Sequence, residues 1–485
     1  MSLSTDHAAA GPIGRAGARD LLAAALIVAA TLLPWNLRFG VGVPGSDETL
    51  FGVLCGVSLL SLSALALSRL GPLRAEPLAR RARLLLNVPY VLLVMGFVAF
   101  DAYQTVRSGG TVRLPGGVGP GAWLGIAGAL LGAQSVAGAG ADDRQFGGWL
   151  SAARAIGYAS VIGAALSTGF NLYWRIKYAV QGSSGFGSQN IAVIVTAVVY
   201  GTVAFVAVFV ASRWLIRGTS ASGLAATALG ASTLIAGVVI WFLPAGREID
   251  AFHGIAQNTS IAGVGYEGYL AWAAAGAIFA PSTLLGSRRA MDQAAWRAAA
   301  RSGLLLITVW CLGSALMRAT DVSVAGLLNY PTSRYDMVTL AAFDLATAAL
   351  ATWLRIRLAA IPIAGPNARP TLLPCGAVAT VTVARVVVGD VLAPRFTASS
   401  VPANPVYGNA LAQQITSTFD VVLCVLAVII FAATVIVGRR PRRRERRPHG
   451  RRQGGPPRQR LVTQASQAAP ASTPAPKIYR PPGDR

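Results

Sequence analysis

The sequence predicts an all-α fold, a polytopic transmembrane helix bundle of about twelve spans with a disordered basic tail. Of its 485 residues, 54% are hydrophobic and only 13% are charged. A soluble protein carries roughly 25% charged residues, so this chain has too few to cover a soluble surface, whereas lipid solvates apolar side chains. Apolar runs recur at the length that a bilayer requires. The segment after the last run is rich in arginine and proline, and it cannot bury enough apolar surface to fold.

Twelve apolar segments reach or approach the roughly 20 residues that a spanning helix needs. The fourth segment is rich in glycine and the ninth is short. We expect the first to stay uncleaved, because it is long and ends in Pro34-Trp35, which is typical of an interfacial anchor. The predicted spans are 21–37, 49–68, 84–103, 118–138, 150–170, 190–212, 223–244, 263–285, 302–317, 336–354, 371–392 and 417–437.

These segments divide the chain into three parts. Residues 1–20 form a short N-terminal segment, 21–437 the transmembrane domain and 438–485 the disordered Arg/Pro-rich tail. The transmembrane domain also divides into 21–212 and 223–437. Each of these contains six spans, so a duplication would make them parallel repeats about an axis along the membrane normal. Even spacing without duplication remains an open alternative.

The distribution of basic residues predicts the orientation. Eighteen arginines lie in the N-terminal segment and in alternate loops, on the same side as the fourteen basic residues of the tail. Nine basic residues lie in the other loops. Cytoplasmic loops carry the excess of arginine and lysine, so we expect a multi-pass plasma-membrane protein with both termini in the cytoplasm.

The start of the tail predicts a lipid contact. Five arginines follow the last span closely, and the cytoplasmic leaflet attracts basic segments within a Debye length. We therefore expect anionic headgroups as partners here and protein partners further along. Nucleic acid is a less expected partner, because no aromatic residue precedes Tyr479 in the tail to stack on bases. The five residues are Arg442, Arg443, Arg444, Arg446 and Arg447.

Two ionisable residues lie deep inside predicted spans, well away from the span ends. Charges inside a bilayer are costly, so Asp344 and Arg385 are candidates for a substrate or ion path. At a rise of 1.5 Å per residue, they lie about 12 Å and about 10 Å from the same side of the membrane. Consecutive spans usually pack together, so we expect a buried pair. It would act as a gate or coupling element, or as a structural lock between two helices, and a double replacement should recover part of the yield that either single replacement loses.

Acidic residues gather on the predicted external side. Glu267 and Asp101 lie just inside their spans, with tyrosines nearby. They would line an outward vestibule for a cation or a polyol, or they are solvated loop charges.

The first external loop contains the pair Asp47-Glu48. In this respect the chain resembles the integral-membrane glycosyltransferases that depend on polyprenyl phosphates, whose first external loop carries an acidic pair. The resemblance implies that one carboxylate activates an acceptor or holds a divalent metal. The chain departs from the pattern in its short first loop and in having no C-terminal external domain.

The overall layout resembles uncharacterised polytopic membrane proteins of high-GC actinobacteria. We find no nucleotide-binding or nucleophile motif, and the loop between the second and third spans lacks the Asp-Arg step of major-facilitator transporters. The four cysteines lie in apolar runs and the three histidines are far apart, so we expect no metal, cofactor or catalytic residue. Three functions stay open: a secondary transporter or permease-like protein, a non-catalytic cell-envelope scaffold, and a membrane glycosyltransferase.

Overall fold

The computed structural model describes residues 12–36, 40–41, 46–67, 76–107, 117–134, 143–181, 186–242, 263–283, 293–329, 334–360, 369–392 and 417–439. This part of the chain is all-helical, which confirms the predicted fold class. The helices are α1 (Pro12–Leu32), α2 (Glu48–Leu67), α3 (Glu76–Arg107), α4 (Pro120–Ala133), α5 (Asp143–Gln181), α6 (Ser188–Arg217), α7 (Ser220–Phe242), α8 (Tyr266–Thr283), α9 (Gln293–Leu328), α10 (Arg334–Ala360), α11 (Arg369–Leu392) and α12 (Thr418–Arg439). They belong to one compact unit, Met1–Arg439.

Nine of these described helices are long and apolar enough to cross a membrane: α2, α3, α5, α6, α7, α9, α10, α11 and α12. Apolar side chains on their outer faces are suited to lipid. On α3, for example, four large ones are exposed at intervals of three and four residues, which is one face of a helix. They are Leu85, Val88, Leu92 and Met95.

The helices α4 and α8 are buried in protein instead. Every residue of α4 except Leu130 is buried, as is nearly all of α8 from Tyr266 to Phe279. Glycine lets α8 approach α7 closely: a Cβ on Gly230 would lie 2.8 Å from the Cα of Gly276. Protein therefore surrounds both helices, and α4, although apolar, is outside the nine because it has only 14 residues.

Neighbouring helices run antiparallel. Arg318 pairs with Asp344 while Thr308 contacts Thr352, so α9 and α10 run in opposite directions. The same holds for α11 and α12, α5 and α6, and α7 and α8. We call the end of the bundle where α1 begins and α12 finishes the termini end, and the other the opposite end.

The structure corrects two predicted boundaries. Residues 171–181, predicted as loop, continue α5 to Gln181, and the short ninth span 302–317 is part of the 36-residue helix α9. The division into halves 21–212 and 223–437 stays a prediction, since α4 of the first packs against α7 and α8 of the second within one unit. The predicted loop 393–416 lies outside the described residues.

Candidate functional site

Asp344 is the centre of a buried charged cluster. Its side chain is fully buried in α10, and its two oxygens bind two different arginines. Arg318 Nε donates to Oδ2 at 3.0 Å, and Arg385 Nε donates to Oδ1. The predicted contact between Asp344 and Arg385 is therefore confirmed. Their role in a substrate or ion path stays a prediction.

A second carboxylate extends this cluster. Arg385 Nη1 lies 2.8 Å from Asp420 Oδ2, at the start of α12. Trp310 Nε1 donates to Asp420 Oδ1 at 2.5 Å, and the backbone nitrogen of Ser417 donates to Oδ2 at 2.8 Å. The order Arg318–Asp344–Arg385–Asp420 alternates in sign and links α9, α10, α11 and α12. We call these four residues the charge chain.

The charge chain can hold its helices together at the opposite end of the bundle. Its two arginines and two aspartates balance, and each carboxylate accepts hydrogen bonds on both oxygens. Taking charges out of water is costly, and mutual attraction offsets that cost only when the geometry is good. Breaking the chain therefore requires a new partner for each charge, either water or a ligand.

Sequence reasoning missed two members of the charge chain. Arg318 follows the predicted ninth span directly, so it was interpreted as a loop charge. Asp420 was grouped with the external acids, although it falls inside the predicted span 417–437. The apolar run 322–328 after Asp321 was the available signal, since it continues the helical pattern beyond Arg318.

Asp101 and Glu267 are buried near the opposite end. Asp101 Oδ1 accepts a hydrogen bond from the backbone nitrogen of Gly117 at 2.9 Å, and Glu267 accepts one from Ser167. The interpretation as solvated loop charges is wrong for both, because their exposed fractions are 1% and 8%. Whether they line a vestibule stays a prediction.

Asp47 and Glu48 are both exposed. Asp47 Oδ1 accepts hydrogen bonds from the backbone nitrogens of Thr49 and Leu50 at 2.9 and 3.2 Å, which is the geometry of a helix N-cap. Asp47 therefore stabilises the first turn of α2. The arginines predicted to bind headgroups, from Arg442 to Arg447, lie outside the described residues.

A second ionic cluster lies toward the termini end. Asp20 in α1 binds Arg19 and Arg83 at 2.8 Å each, and all three side chains are buried. Arg83 also donates to the carbonyl oxygens of Gly132 and Gln134. Arg19 was counted in the N-terminal segment and Arg83 in the loop between the second and third spans, but the structure places them in α1 and α3 as buried ion-pair partners.

A cavity of about 80 Å³ lies among α7, α9, α10, α11 and α12. Its polar lining comes from the first turns of α9 and α11 and from the end of α12, all toward the termini end. Its deeper lining consists of small or branched apolar side chains. The residues that line it are Leu224, Ala225, Ala228, Gln293, Trp296, Arg297, Ala299, Ala300, Gly303, Leu358, Thr371, Leu426, Ile429, Ile430, Ala433 and Thr434.

Comparison with known families places most of the chain in one of them. Residues 17–439 match the domain of unknown function DUF7937. The chain belongs to this family. No curated protein and no solved structure matches it.

The DUF7937 domain includes every feature described above. It begins within α1, before Arg19, and finishes at Arg439, where α12 finishes. Both ionic clusters and the cavity therefore belong to the DUF7937 domain, and the basic tail lies beyond it.

Proposed function

We propose that this DUF7937 protein is a permease-like secondary transporter of the plasma membrane, with twelve spans and both termini in the cytoplasm. One observation carries the proposal. The cavity lies toward the termini end of α9, α10, α11 and α12, while the charge chain joins the same four helices near the opposite end. A binding space with ion pairs between it and the other end of the bundle is suited to alternating access, in which the helices around a site move to open one side at a time.

The termini end is the proposed cytoplasmic side. Arg213, Arg217 and Arg357 lie there, exposed near the ends of α6 and α10. Exposed arginines of this kind indicate which side of a membrane protein is cytoplasmic, and this holds when the buried Arg19 and Arg83 are left out of the count. The helices α1, α4 and α8 complete the twelve spans, since α4 and α8 are screened from lipid. In the same proposal, the tail binds anionic headgroups of this leaflet and leaves its distal part for protein partners.

The cavity lining supports an amphipathic substrate. Leu426, Ile430 and Ala300 supply an apolar wall suited to a short hydrocarbon segment. Gln293 and Arg297, at the start of α9, supply polar groups suited to an anionic head. A ligand bound this way would direct its head to the cytoplasmic side.

The charge chain is the proposed external gate. Opening it would separate Arg385 from Asp344 or Asp420, and a ligand can shift that equilibrium only by binding the two states differently. Close packing of α7 on α8 at Gly230 and Gly276 favours the second candidate, a rigid non-catalytic scaffold. A membrane glycosyltransferase is the remaining candidate from the sequence.

Ligand binding tests the proposal with hexyl phosphate as the probe. The protein in nanodiscs is heated with hexyl phosphate, inorganic phosphate or hexanol, and unfolding is followed by tryptophan fluorescence. We expect hexyl phosphate to raise the Tm more than inorganic phosphate or hexanol does, because a ligand that binds only the folded state stabilises it.

Two variants complete this experiment. Ala300→Phe fills the cavity and should abolish the shift, whereas Gly56→Phe, whose Cβ position has nothing within 4 Å, should retain it. Uptake of labelled hexyl phosphate into proteoliposomes then separates a transporter from a scaffold. Equal Tm shifts in the two variants, or binding without uptake, would contradict the proposed transporter.

A further inference from the structure

Four buried polar side chains lie on α2 and α3, which pack against each other. Ser58 and Ser61 belong to α2, and Asn87 and Tyr90 belong to α3. Their exposed fractions are 4%, 0%, 1% and 0%. They lie outside both ionic clusters and outside the cavity. We call these four residues the polar seam.

The packing of α4 fixes the register of the seam. A Cβ at Gly132 would contact both Leu65 and Asn87, so these two lie side by side. Further along the two helices, Ser58 lies beside the Tyr90 hydroxyl and makes a weak, poorly aligned hydrogen bond with it. Ser61 lies on the same face of α2, between Leu65 and Ser58, and therefore faces the interval between Asn87 and Tyr90.

Each member of the seam has an oxygen atom without a well-aligned hydrogen bond among the described residues. The atoms are Ser58 Oγ, Ser61 Oγ, Asn87 Oδ1 and the Tyr90 hydroxyl oxygen. Ser58 and Tyr90 are neighbours, but the hydrogen bond between them is poorly aligned. More than nine in ten buried polar groups in proteins are hydrogen-bonded to protein or to ordered water. Four such atoms in one place therefore indicate a site for a small polar ligand.

The seam continues toward the termini end. Asn87 Nδ2 donates to the backbone oxygen of Arg83 at 2.8 Å, and Arg83 binds Asp20. Polar groups thus extend from that end of the bundle to Tyr90, whose ring centroid lies 5.6 Å from that of Trp35. A small polar molecule reaching Tyr90 this way would meet a hydrogen-bonding group at each step.

We propose that the polar seam is a hydrated site that binds ordered water between α2 and α3, as far as Tyr90. Hydroxyl groups and an amide oxygen can accept and donate the two to four hydrogen bonds that a buried water needs. The guanidinium groups of Arg19 and Arg83 flank the approach, which favours neutral water over a cation. The aromatic side chains of Trp35 and Phe97, 5.8 Å apart between centroids, close the seam beyond Tyr90.

Radiolytic labelling of the full-length protein in nanodiscs tests this site. Brief X-ray irradiation makes hydroxyl radicals from water, including bound water that bulk solvent does not reach. We expect Tyr90 to be oxidised faster than Tyr269, which is equally buried but packed between Trp123 and Trp272, at 4.5 and 5.9 Å. Oxidation of Tyr90 no faster than that of Tyr269 would overturn the proposal without any variant.

Two serine variants give a matched comparison. Ser61→Ala removes one hydrogen-bonding group and should slow the labelling of Tyr90. Ser63→Ala, in the same helix, should leave it unchanged, because Ser63 is exposed and donates to Leu59 of its own helix. Equal labelling in the two variants would contradict the proposal. So would labelling that depends on sodium, since it would assign the seam to a cation.

Discussion

The charge chain makes a prediction about two variants of equal composition. Both replace Arg385 with methionine and one aspartate with asparagine. Arg385→Met/Asp420→Asn removes the two residues at one end of the chain and leaves the pair of Arg318 with Asp344, at 3.0 Å, intact. Arg385→Met/Asp344→Asn removes the two central residues, leaves the buried Asp420 without its arginine and takes from the buried Arg318 its aspartate.

The difference in stability follows from the buried charges that lose a partner, Asp420 and Arg318. Leaving one buried charge without its partner costs about 3–5 kcal/mol, whereas removing a complete pair is often nearly neutral. Asparagine at 420 keeps only one oxygen, so it can accept from Trp310 or from Ser417 but not from both. That lost hydrogen bond costs less than stranding two buried charges, so the stranded charges decide the difference between the two variants. We expect the central double variant to be less stable by about 3–5 kcal/mol, which is roughly a hundred- to several-thousand-fold in the unfolding equilibrium.

This expectation replaces the one drawn from the sequence. With Asp344 and Arg385 taken as an isolated pair, the double replacement recovers part of the folded yield. The charge chain reverses that expectation for Asp344 and Arg385 together, because Arg318 then loses its aspartate and Asp420 loses its arginine.

Folded yield and unfolding both measure this effect. Fluorescence-detected size exclusion gives the monodisperse fraction of each variant, and steric trapping in bicelles gives the free energy of unfolding. The comparison is internal, since the two variants have the same net charge. Equal stability of the two variants would refute the ordering of the charge chain, and so would a more stable central variant.

Three further predictions concern packing, topology and the tail. Gly230→Val should lower the folded yield, since a Cβ there would lie 2.5 Å from the Trp272 carbonyl oxygen and overpacking typically costs about 1–3 kcal/mol or more; Gly56→Val should fold normally, as judged by size exclusion. In intact cells, single cysteines placed between α5 and α6 or in residues 393–416 should react with a maleimide that does not cross the membrane. Labelling of a cysteine placed in the tail would exclude cytoplasmic termini. A peptide of residues 439–485 should co-sediment with anionic vesicles but not with neutral ones, and the binding should weaken as the salt concentration is raised. Binding that does not change with salt concentration would exclude an electrostatic contact.

Part of the candidate site could be predicted from the sequence alone. Asp344 and Arg385 stand alone in apolar runs, and helical rise alone gave them matching depths. Arg318 and Asp420 could not be assigned in this way, because they lie near the ends of apolar segments, where a charge can face solvent or protein equally well. The same ambiguity misplaced Arg19 and Arg83.

The sequence by itself determined the helical class, because only lipid can cover a surface with so few charges, and a chain in lipid must satisfy its backbone within helices. The lengths of the apolar runs also predicted eleven of the twelve helices, all but α9, with most of their ends correct to within about one to two turns. Only the tertiary structure decided which helices are screened from lipid and which charges meet. Those choices depend on close approach at glycines such as Gly230, and on pairings between residues far apart in sequence, and neither is encoded in local hydropathy.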